Sequence, residues 1–266
     1  MLMELTYNFY FKLINAILDN VRCHTSDLRF NNEIEFISKG NSYNPVTIYD
    51  KIIESDIIEL INLITPKINV YSEEFGCCSN SNNMWVVDPI DGTKSFVSGS
   101  PIWGTLIGLI KDGSFVLGAV DHPVLDERLI AINGKTFYKN KNHNFVLLPK
   151  IFDNKMLKQY VIATSSSSHM NLKERRVFTR LSKKVQHVIH DYDCYAYTLL
   201  AKGCIDAVID CNLRPYDFVQ LVPILKGVGC EIYDWKGNDT CYSKRIVASK
   251  PGGIRHNVVK ILSKVC

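Results

Sequence analysis

Apolar side chains recur every three or four positions in two stretches near the start of the chain. The first stretch carries them at Phe9, Leu13, Ile14, Ile17 and Leu18. The second follows the turn at residues 44–47, runs from Ile48 to Ile64, and is ended by Pro66. This spacing predicts two amphipathic helices. A short strand, Asn69–Ser72, is predicted to follow and to lead into Glu73-Glu74.

Strand-like and helix-like stretches then interleave to the end of the chain. Strands are predicted at Thr105–Ile110, Ser114–Val120, Leu129–Ile132, Tyr160–Thr164, Ala207–Ile209, Glu231–Asp234 and Arg245–Ala248. Helices are predicted at Leu172–Lys184, Tyr195–Ala201, Asp217–Gly227 (bent at Pro223) and Ile254–Val265. Such interleaving indicates a layered α/β fold. The polar stretch Tyr138–Asn144 predicts a boundary between an N-terminal sub-domain, residues 1–142, and a C-terminal one, residues 143–266.

Two carboxylates follow the most apolar strand-like run. Met84-Trp85-Val86-Val87 ends at Asp88, and Asp91 comes three residues later, separated from it by Pro89-Ile90. Gly92 and Thr93 then place small groups where a helix can begin. Oxygen ligands suit Mg²⁺, and the free N–H groups of a helix start suit a phosphate. A purely structural role, with Asp88 ending a strand and Asp91 capping a helix, explains each acid but not the whole string.

Composition narrows the functional class. The 266 residues are 46% hydrophobic and 22% charged, as is ordinary for a globular protein. The net charge of +4, from scattered basic residues, argues against nucleic acid as the main partner. No stretch approaches the length of an apolar membrane span. Nine cysteines without a secretory signal or a CxxC pair predict a cytoplasmic protein with reduced, mostly buried thiols.

The acidic motifs resemble those of a known family. Glu73-Glu74, Asp88-Pro-Ile-Asp-Gly-Thr93 and Tyr216-Asp217 are similar to the three signatures of the inositol monophosphatase superfamily of Mg²⁺-dependent phosphatases. The resemblance covers nearly the whole chain and implies a layered αβαβα sandwich of the inositol monophosphatase and fructose-bisphosphatase type. Within the superfamily, the histidinol-phosphatase branch is the most similar. Four stretches carry this second resemblance: Asp91–Phe96, Pro101–Leu106, Asp193–Tyr197 and Pro215–Phe218.

The resemblance implies a metal site and a catalytic apparatus. Two or three Mg²⁺ ions would be held by Glu73, Asp88, Asp91, Asp217 and the carbonyl of Ile90. Thr93, paired with Asp50, would orient the attacking water together with Glu73, and the N–H groups of Gly92 and Thr93 would bind phosphate oxygens. Lys39 matches a family lysine near the metals, although a surface lysine fits the sequence as well. A solvated acid in the first turn of a helix remains the alternative for Asp50, and helix capping remains the alternative for Asp217.

Substrate choice is assigned to the second half of the chain. Asp193 and Asp210 match positions at which one or both would meet the ammonium group of histidinol phosphate, and capping a helix is the alternative for Asp193. The chain departs from the branch pattern just before that position. Asp191 and Tyr192 stand where two glycines are usual, and Ile189 stands where a basic residue is common. The wall of the substrate pocket is therefore expected to differ.

The implied function is hydrolysis of a small-molecule phosphate by a metal-activated water without a phosphoenzyme. Histidinol phosphate, an intermediate of histidine biosynthesis, is the leading substrate; inositol monophosphate is the alternative, and adenosine bisphosphate is third. A different class also has to be weighed, because some relatives act as partners of the transcription machinery. The family resemblance further implies a homodimer and sensitivity to Li⁺.

Overall fold

Helices and sheets alternate in five layers, so the predicted αβαβα sandwich is confirmed. This computed structural model describes residues 2–25, 34–38, 45–77, 82–165 and 167–265. The predicted role of Lys39 lies outside the described residues. No helix in these ranges is long and apolar enough to cross a membrane.

The larger sheet has eight strands in the order β10-β9-β8-β7-β6-β5-β3-β4. Their bounds are β3 Asn69–Ser72, β4 Gly76–Cys77, β5 Met84–Asp91, β6 Gly104–Lys111, β7 Ser114–His122, β8 Glu127–Ile132, β9 Lys135–Asn140 and β10 His143–Leu147. All neighbours are antiparallel except β3 and β5, which are parallel. A separate two-stranded ribbon pairs β1, Phe36–Ser38, with β2, Pro45–Thr47.

The smaller sheet has five strands in the order β12-β11-β13-β15-β14. They are β11 Val161–Ala163, β12 His187–Ile189, β13 Ala207–Cys211, β14 Glu231–Asp234 and β15 Arg245–Ser249. The three strands β12, β11 and β13 are parallel, and β15 is antiparallel to both of its neighbours. This mixed sheet brings the carboxyl ends of β11, β12 and β13 to the same edge.

Helices fill the layers between and outside the sheets. They are α1 Leu2–Thr25, α2 Ile48–Ile64, α3 Thr93–Val97, α4 Leu172–Ser182, α5 Tyr195–Ala201, α6 Pro215–Phe218, α7 Leu221–Gly227 and α8 Ile254–Leu262. α1 and α2 cover the outer face of the larger sheet, and α4 and α8 cover the outer face of the smaller one. α5 and α7 lie between the two sheets in the third hydrophobic core.

One prediction about the helices needs correction. The predicted helix Asp217–Gly227 is interrupted at Val219-Gln220 rather than at Pro223. Pro223 lies in the first turn of α7, where its missing N–H leaves no intrahelical bond unmade. The predicted sub-domain boundary between residues 142 and 143 stays a prediction. It lies in the turn between β9 and β10, and the larger sheet continues to Leu147. The polar side chains at this turn reflect its exposure, not the end of the sheet.

Six of the described cysteines are free thiols: Cys23, Cys194, Cys204, Cys211, Cys230 and Cys241. Cys194, Cys211 and Cys230 are buried, whereas Cys23 and Cys204 are exposed. Burial is therefore less general than the sequence suggested.

Candidate active site

A bulge at the end of β5 delivers the first two carboxylates. The pairing of β5 with β6 shifts register between Asp88 and Asp91, where Pro89 has no N–H to give to the ladder. The hydroxyl of Thr105 on β6 donates instead to the Pro89 carbonyl at 2.8 Å. Asp88 is buried at the base of the bulge and accepts a hydrogen bond from the Ile90 N–H at 3.1 Å. The bulge thus turns both acids towards the same cleft, which they line.

Tight packing against the larger sheet brings the third carboxylate to this cleft. Asp217 lies on α6, and the following residue pair leads directly into α7. The carbonyl oxygen of Gln220 approaches Gly118 on β7 so closely that a Cβ there would lie 1.9 Å from it. Glycine is therefore required at this contact. The Asp217 carboxylate also accepts a hydrogen bond from the Arg214 N–H at 2.7 Å, so it caps α6 as well as joining the site.

Asp88, Asp91 and Asp217 converge within the distance of a shared cation. One carboxylate oxygen from each lies within 4.8 Å of the others. Burial raises the pKa of Asp88 and of Asp91 well above the usual range, and neighbouring carboxylates add to this effect. Burial also raises the pKa of Asp217 to about 6. Acids gathered in this way are stabilised in their ionised form by a hard cation with oxygen ligands, and Mg²⁺ fits that description.

Glu73 lines the same cleft, and its negative charge contributes to the raised pKa of Asp88. The turn that carries it is fixed by a residue that the sequence analysis missed. Glu54 on α2 is fully buried, and its carboxylate accepts hydrogen bonds from the N–H groups of Glu74 and Phe75 at 3.0 and 2.8 Å. Its spacing of four residues from Asp50, on one face of a helix, was the available signal.

Thr93 and Asp50 meet as the family resemblance implied. The Thr93 hydroxyl lies 3.4 Å from Asp50 Oδ1 and 3.1 Å from the Ile90 carbonyl oxygen, either of which can accept its single proton. The other oxygen of Asp50 accepts hydrogen bonds from the N–H and hydroxyl of Thr47, both at 2.7 Å. Asp50 therefore completes the capping box of α2. It is buried, so the alternative of a solvated first-turn acid is wrong.

Gly92 lies between the carboxylate cluster and Asp193. Its φ of +83° is one that glycine adopts without strain. A Cβ at this position would also lie 2.6 Å from Asp193 Oδ2. Asp193 in turn accepts a hydrogen bond from the Ser95 hydroxyl at 2.5 Å, and burial raises its pKa to about 6. Asp193 lines the cleft, and Cys194 rather than Asp193 is the capping residue of α5.

Asp210 does not line the cleft described by these residues. It is 1% exposed on β13, and its carboxylate is bonded to groups behind the wall. It accepts hydrogen bonds from the Thr164 hydroxyl at 2.9 Å, the Ser165 N–H at 2.7 Å and the Tyr197 hydroxyl at 2.5 Å. Ser165 and Tyr197 themselves line the cleft. Asp210 therefore supports the wall from the inside.

The family assignment rests on a match that covers almost the whole chain. The sequence profile of the inositol monophosphatase family matches residues 3–265. The chain belongs to the inositol monophosphatase family. It is accordingly a phosphatase of a metal-dependent family. Asp88, Asp91 and Asp217 lie together in its cleft.

Individual relatives agree with this assignment. The chain is 38% identical over 212 residues to the bifunctional phosphatase IMPL2, chloroplastic, of Arabidopsis thaliana, covering 78% of this chain and 59% of that protein. It is 29% identical to a histidinol-phosphatase of Mycobacterium tuberculosis, covering 91% and 90% of the two chains. The inositol monophosphatase structure from Zymomonas mobilis superimposes with a TM-score of 0.83 at 25% identity, covering 97% and 98%.

The four stretches that resemble the histidinol-phosphatase branch contact one another. Ser95 of the first bonds to Asp193 of the third, as described above. Phe96 of the first packs edge-on against Trp103 of the second, with ring centroids 5.0 Å apart. Tyr197 of the third packs against Phe218 of the fourth at 5.4 Å. These four stretches therefore form one continuous structure that includes part of the lining of the cleft.

Several residues that line the cleft were given no functional role from the sequence. Lys94, Ser165, His169, Cys194, Tyr197 and Leu213 all lie on it. Lys94 and Tyr197 belong to the branch-like stretches, which was a usable signal. His169 follows a run of serines and belongs to no recognisable motif. Only the tertiary structure identifies it as a residue of the cleft.

Proposed function

We propose that this chain hydrolyses histidinol phosphate to histidinol and inorganic phosphate with Mg²⁺ as its metal. The observation that carries the proposal is one cleft lined by a cluster of carboxylates and by a further carboxylate outside that cluster, Asp193. Asp88, Asp91 and Asp217 gather at one side, beside Gly92 and Thr93. Asp193 lines the same cleft beside this cluster, because the N–H of the next residue, Cys194, donates to Asp91 at 2.7 Å. The alcohol part of the phosphate ester would extend towards Asp193.

The donor set fits Mg²⁺. Its candidate ligands are the carboxylates of Glu73, Asp88, Asp91 and Asp217 together with the Ile90 carbonyl, all oxygen donors lining one cleft. When bound, the metal supplies Lewis-acid stabilisation of the phosphoryl oxygens and makes water a better nucleophile. The number of ions, two or three, is part of the proposal.

The remaining steps depend on groups of this chain. The Thr93 hydroxyl, which can donate a hydrogen bond to Asp50, orients the attacking water. Glu73 lines the same cleft. The N–H groups at the start of α3, those of Gly92 and Thr93, hold the phosphate oxygens. The oxygen of this water bonds to phosphorus while the bond from phosphorus to the ester oxygen breaks. A proton from the water ends on the ester oxygen, so the products are the alcohol and inorganic phosphate. No covalent bond to the protein forms.

Charge favours histidinol phosphate among small phosphate monoesters. Histidinol phosphate carries an ammonium group that inositol monophosphate lacks. Asp193 offers a carboxylate on the cleft wall, held by the Ser95 hydroxyl, to pair with that group. The histidinol-phosphatase from M. tuberculosis among the relatives supports the same substrate.

The test is a phosphate-release assay with Mg²⁺ on histidinol phosphate, inositol monophosphates and adenosine bisphosphate. We expect the highest kcat/KM for histidinol phosphate. Asp193→Asn should reduce this value by about tenfold or more, since a charge-assisted hydrogen bond is worth about 1.5–3 kcal/mol, while inositol monophosphate turnover changes little. Equal losses on both substrates would remove the role of Asp193, and preference for another ester would refute the proposed substrate.

A further inference from the structure

A second loop shapes the cleft next to Asp193. It follows β11 and contains a single 3₁₀ turn, Ser167–His169. The ring of His169 lines the cleft, while the next residue, Met170, is buried in the core beside α4 and α8. The C-terminal end of the turn is therefore anchored by burial. The N-terminal end of the turn is held by other contacts.

Asp191 provides that support. Its carboxylate accepts a hydrogen bond from the Ser167 N–H at 2.9 Å and from the Ser167 hydroxyl at 3.1 Å. A further link joins the same two loops, because the Asp193 N–H donates to the Ser165 carbonyl at 3.2 Å. The loop of His169 and the loop of Asp193 are thus held together by both side-chain and backbone bonds.

The backbone at Asp191 indicates why this acid differs from the glycine usual in the branch. Its φ is +58°, in the left-handed region that glycine occupies without strain. Aspartate tolerates this region better than most residues but still costs more than glycine. The chain therefore keeps a less favourable residue at this position, and the bonds to Ser167 are what the carboxylate adds.

His169 and Asp193 lie in the same electrostatic surroundings. The charges that act on His169 are those of Lys94, Arg214, Asp191 and Asp210. Three of these, Lys94, Asp191 and Asp210, also act on Asp193. Loss of hydration and the Lys94 ammonium lower the pKa of His169. The imidazole is consequently neutral near pH 7, and it can accept a hydrogen bond from a polar alcohol.

We propose that Asp191 is a positioning residue that fixes the Ser167–His169 turn, so that His169 contacts the alcohol part of the substrate. The inference rests on the proposed function, because it assumes that the alcohol occupies the side of the cleft shared by Asp193 and His169. A fixed turn lowers the ordering cost when substrate binds. Asp191 therefore acts on substrate affinity and not on the chemical step.

The test compares Asp191→Gly with Asp191→Asn in the full-length protein. Glycine removes the carboxylate and any backbone strain, whereas asparagine keeps an acceptor oxygen and tolerates the left-handed backbone. In Asp191→Gly we expect faster hydrogen exchange across residues 167–170. We also expect a KM for histidinol phosphate that is about two- to tenfold higher, the effect of one exposed hydrogen bond. The kcat should stay within about twofold of the wild-type value, and Asp191→Asn should restore both the exchange rate and KM.

Two further variants decide between positioning and a general structural effect. Asp112→Gly makes the same change at another left-handed aspartate, φ +50°, in the turn between β6 and β7, and should leave KM unchanged. His169→Ala should raise KM, and adding Asp191→Gly to it should raise KM little further, because both act through one contact. Unchanged exchange in Asp191→Gly, no rescue by asparagine, or multiplicative effects in the double variant would each overturn the inference.

The outcomes also separate this inference from the proposed function. If the wild-type protein does not hydrolyse histidinol phosphate, the proposed substrate is wrong, and the exchange measurement still decides whether Asp191 fixes the turn. If the wild-type protein hydrolyses it and Asp191→Gly behaves like wild type, only the role of Asp191 is refuted.

Discussion

Without a bound cation, we expect the stability of this protein to fall as pH rises, because of the carboxylates of the cleft. The pKa values of Asp88, Asp91 and Asp217 are all raised in the folded state by burial and mutual repulsion. An acid whose folded pKa lies above its unfolded value stabilises the fold fully below the unfolded pKa. That contribution is lost as pH rises through the folded pKa. For Asp217 this window runs from 3.8 to about 6.

The size of the effect follows from the same numbers. A pKa difference of about two corresponds to about 3 kcal/mol at 1.36 kcal/mol per pH unit. Asp217 is partly exposed, so solvent screening reduces this to about 2 kcal/mol. For a chain of this length, that free energy of unfolding corresponds to a change in Tm of about 4–8 °C. Asp88 and Asp91 act in the same direction.

The experiment measures Tm between pH 4 and pH 8 for wild type and Asp217→Asn, in chelator and in saturating Mg²⁺. Asparagine keeps an oxygen to accept the Arg214 N–H but carries no charge. In chelator, the wild-type Tm should fall between pH 4 and pH 7 by about 4–8 °C more than that of the variant. Mg²⁺ should stabilise wild type increasingly as pH rises, because it binds the ionised acids.

Two results would refute this reasoning. Parallel pH profiles of wild type and Asp217→Asn in chelator would mean that Asp217 does not carry an unfavourable charge in the folded state. Stabilisation by Mg²⁺ that is independent of pH would mean that the cation binds elsewhere.

Three other predictions concern residues of the site and the assembly. Gly92→Ala should abolish most activity and should lower Tm more than the control variant Gly99→Ala. Both glycines have a positive φ. Of the two, only Gly92 would bring a Cβ against another side chain, that of Asp193 at 2.6 Å. Similar losses in the two variants, by activity assay and thermal melting, would contradict the steric argument. Thr93→Val should lower kcat by about a hundredfold or more, with Thr93→Ser retaining most activity, because the hydroxyl orients the water; equal kcat values would exclude that role. The homodimer implied by the resemblance stays a prediction. Light scattering after gel filtration measures the mass in solution, and the mass of a monomer would contradict the prediction.

Local sequence identified the reaction class because its signals act over few residues. Asp88, Pro89 and Asp91 lie next to one another, so a strand ending in a bulge had to bring both acids to one place. Likewise, Thr47 and Asp50 are close enough in the chain to form the capping box that begins α2. Periodicity located the main helices and most strands for the same reason, since each depends on neighbours a few positions away.

Contacts between distant residues were decided only by tertiary structure. The break between α6 and α7 depends on how closely Gln220 packs against Gly118, and Pro223, the local signal, misplaced it. Asp210 was assigned to substrate but is enclosed by Thr164, Ser165 and Tyr197. The bond from Ser95 to Asp193 joins residues 98 positions apart.

The sequence by itself therefore determined the αβαβα layers, the family and the convergence of the carboxylates of Asp88 and Asp91. The tertiary structure decided which distant side chains line the cleft and which support it from behind. The physical reason is that a turn, cap or amphipathic face is fixed by interactions within a few residues. The partners of a buried carboxylate depend instead on the path of the whole chain.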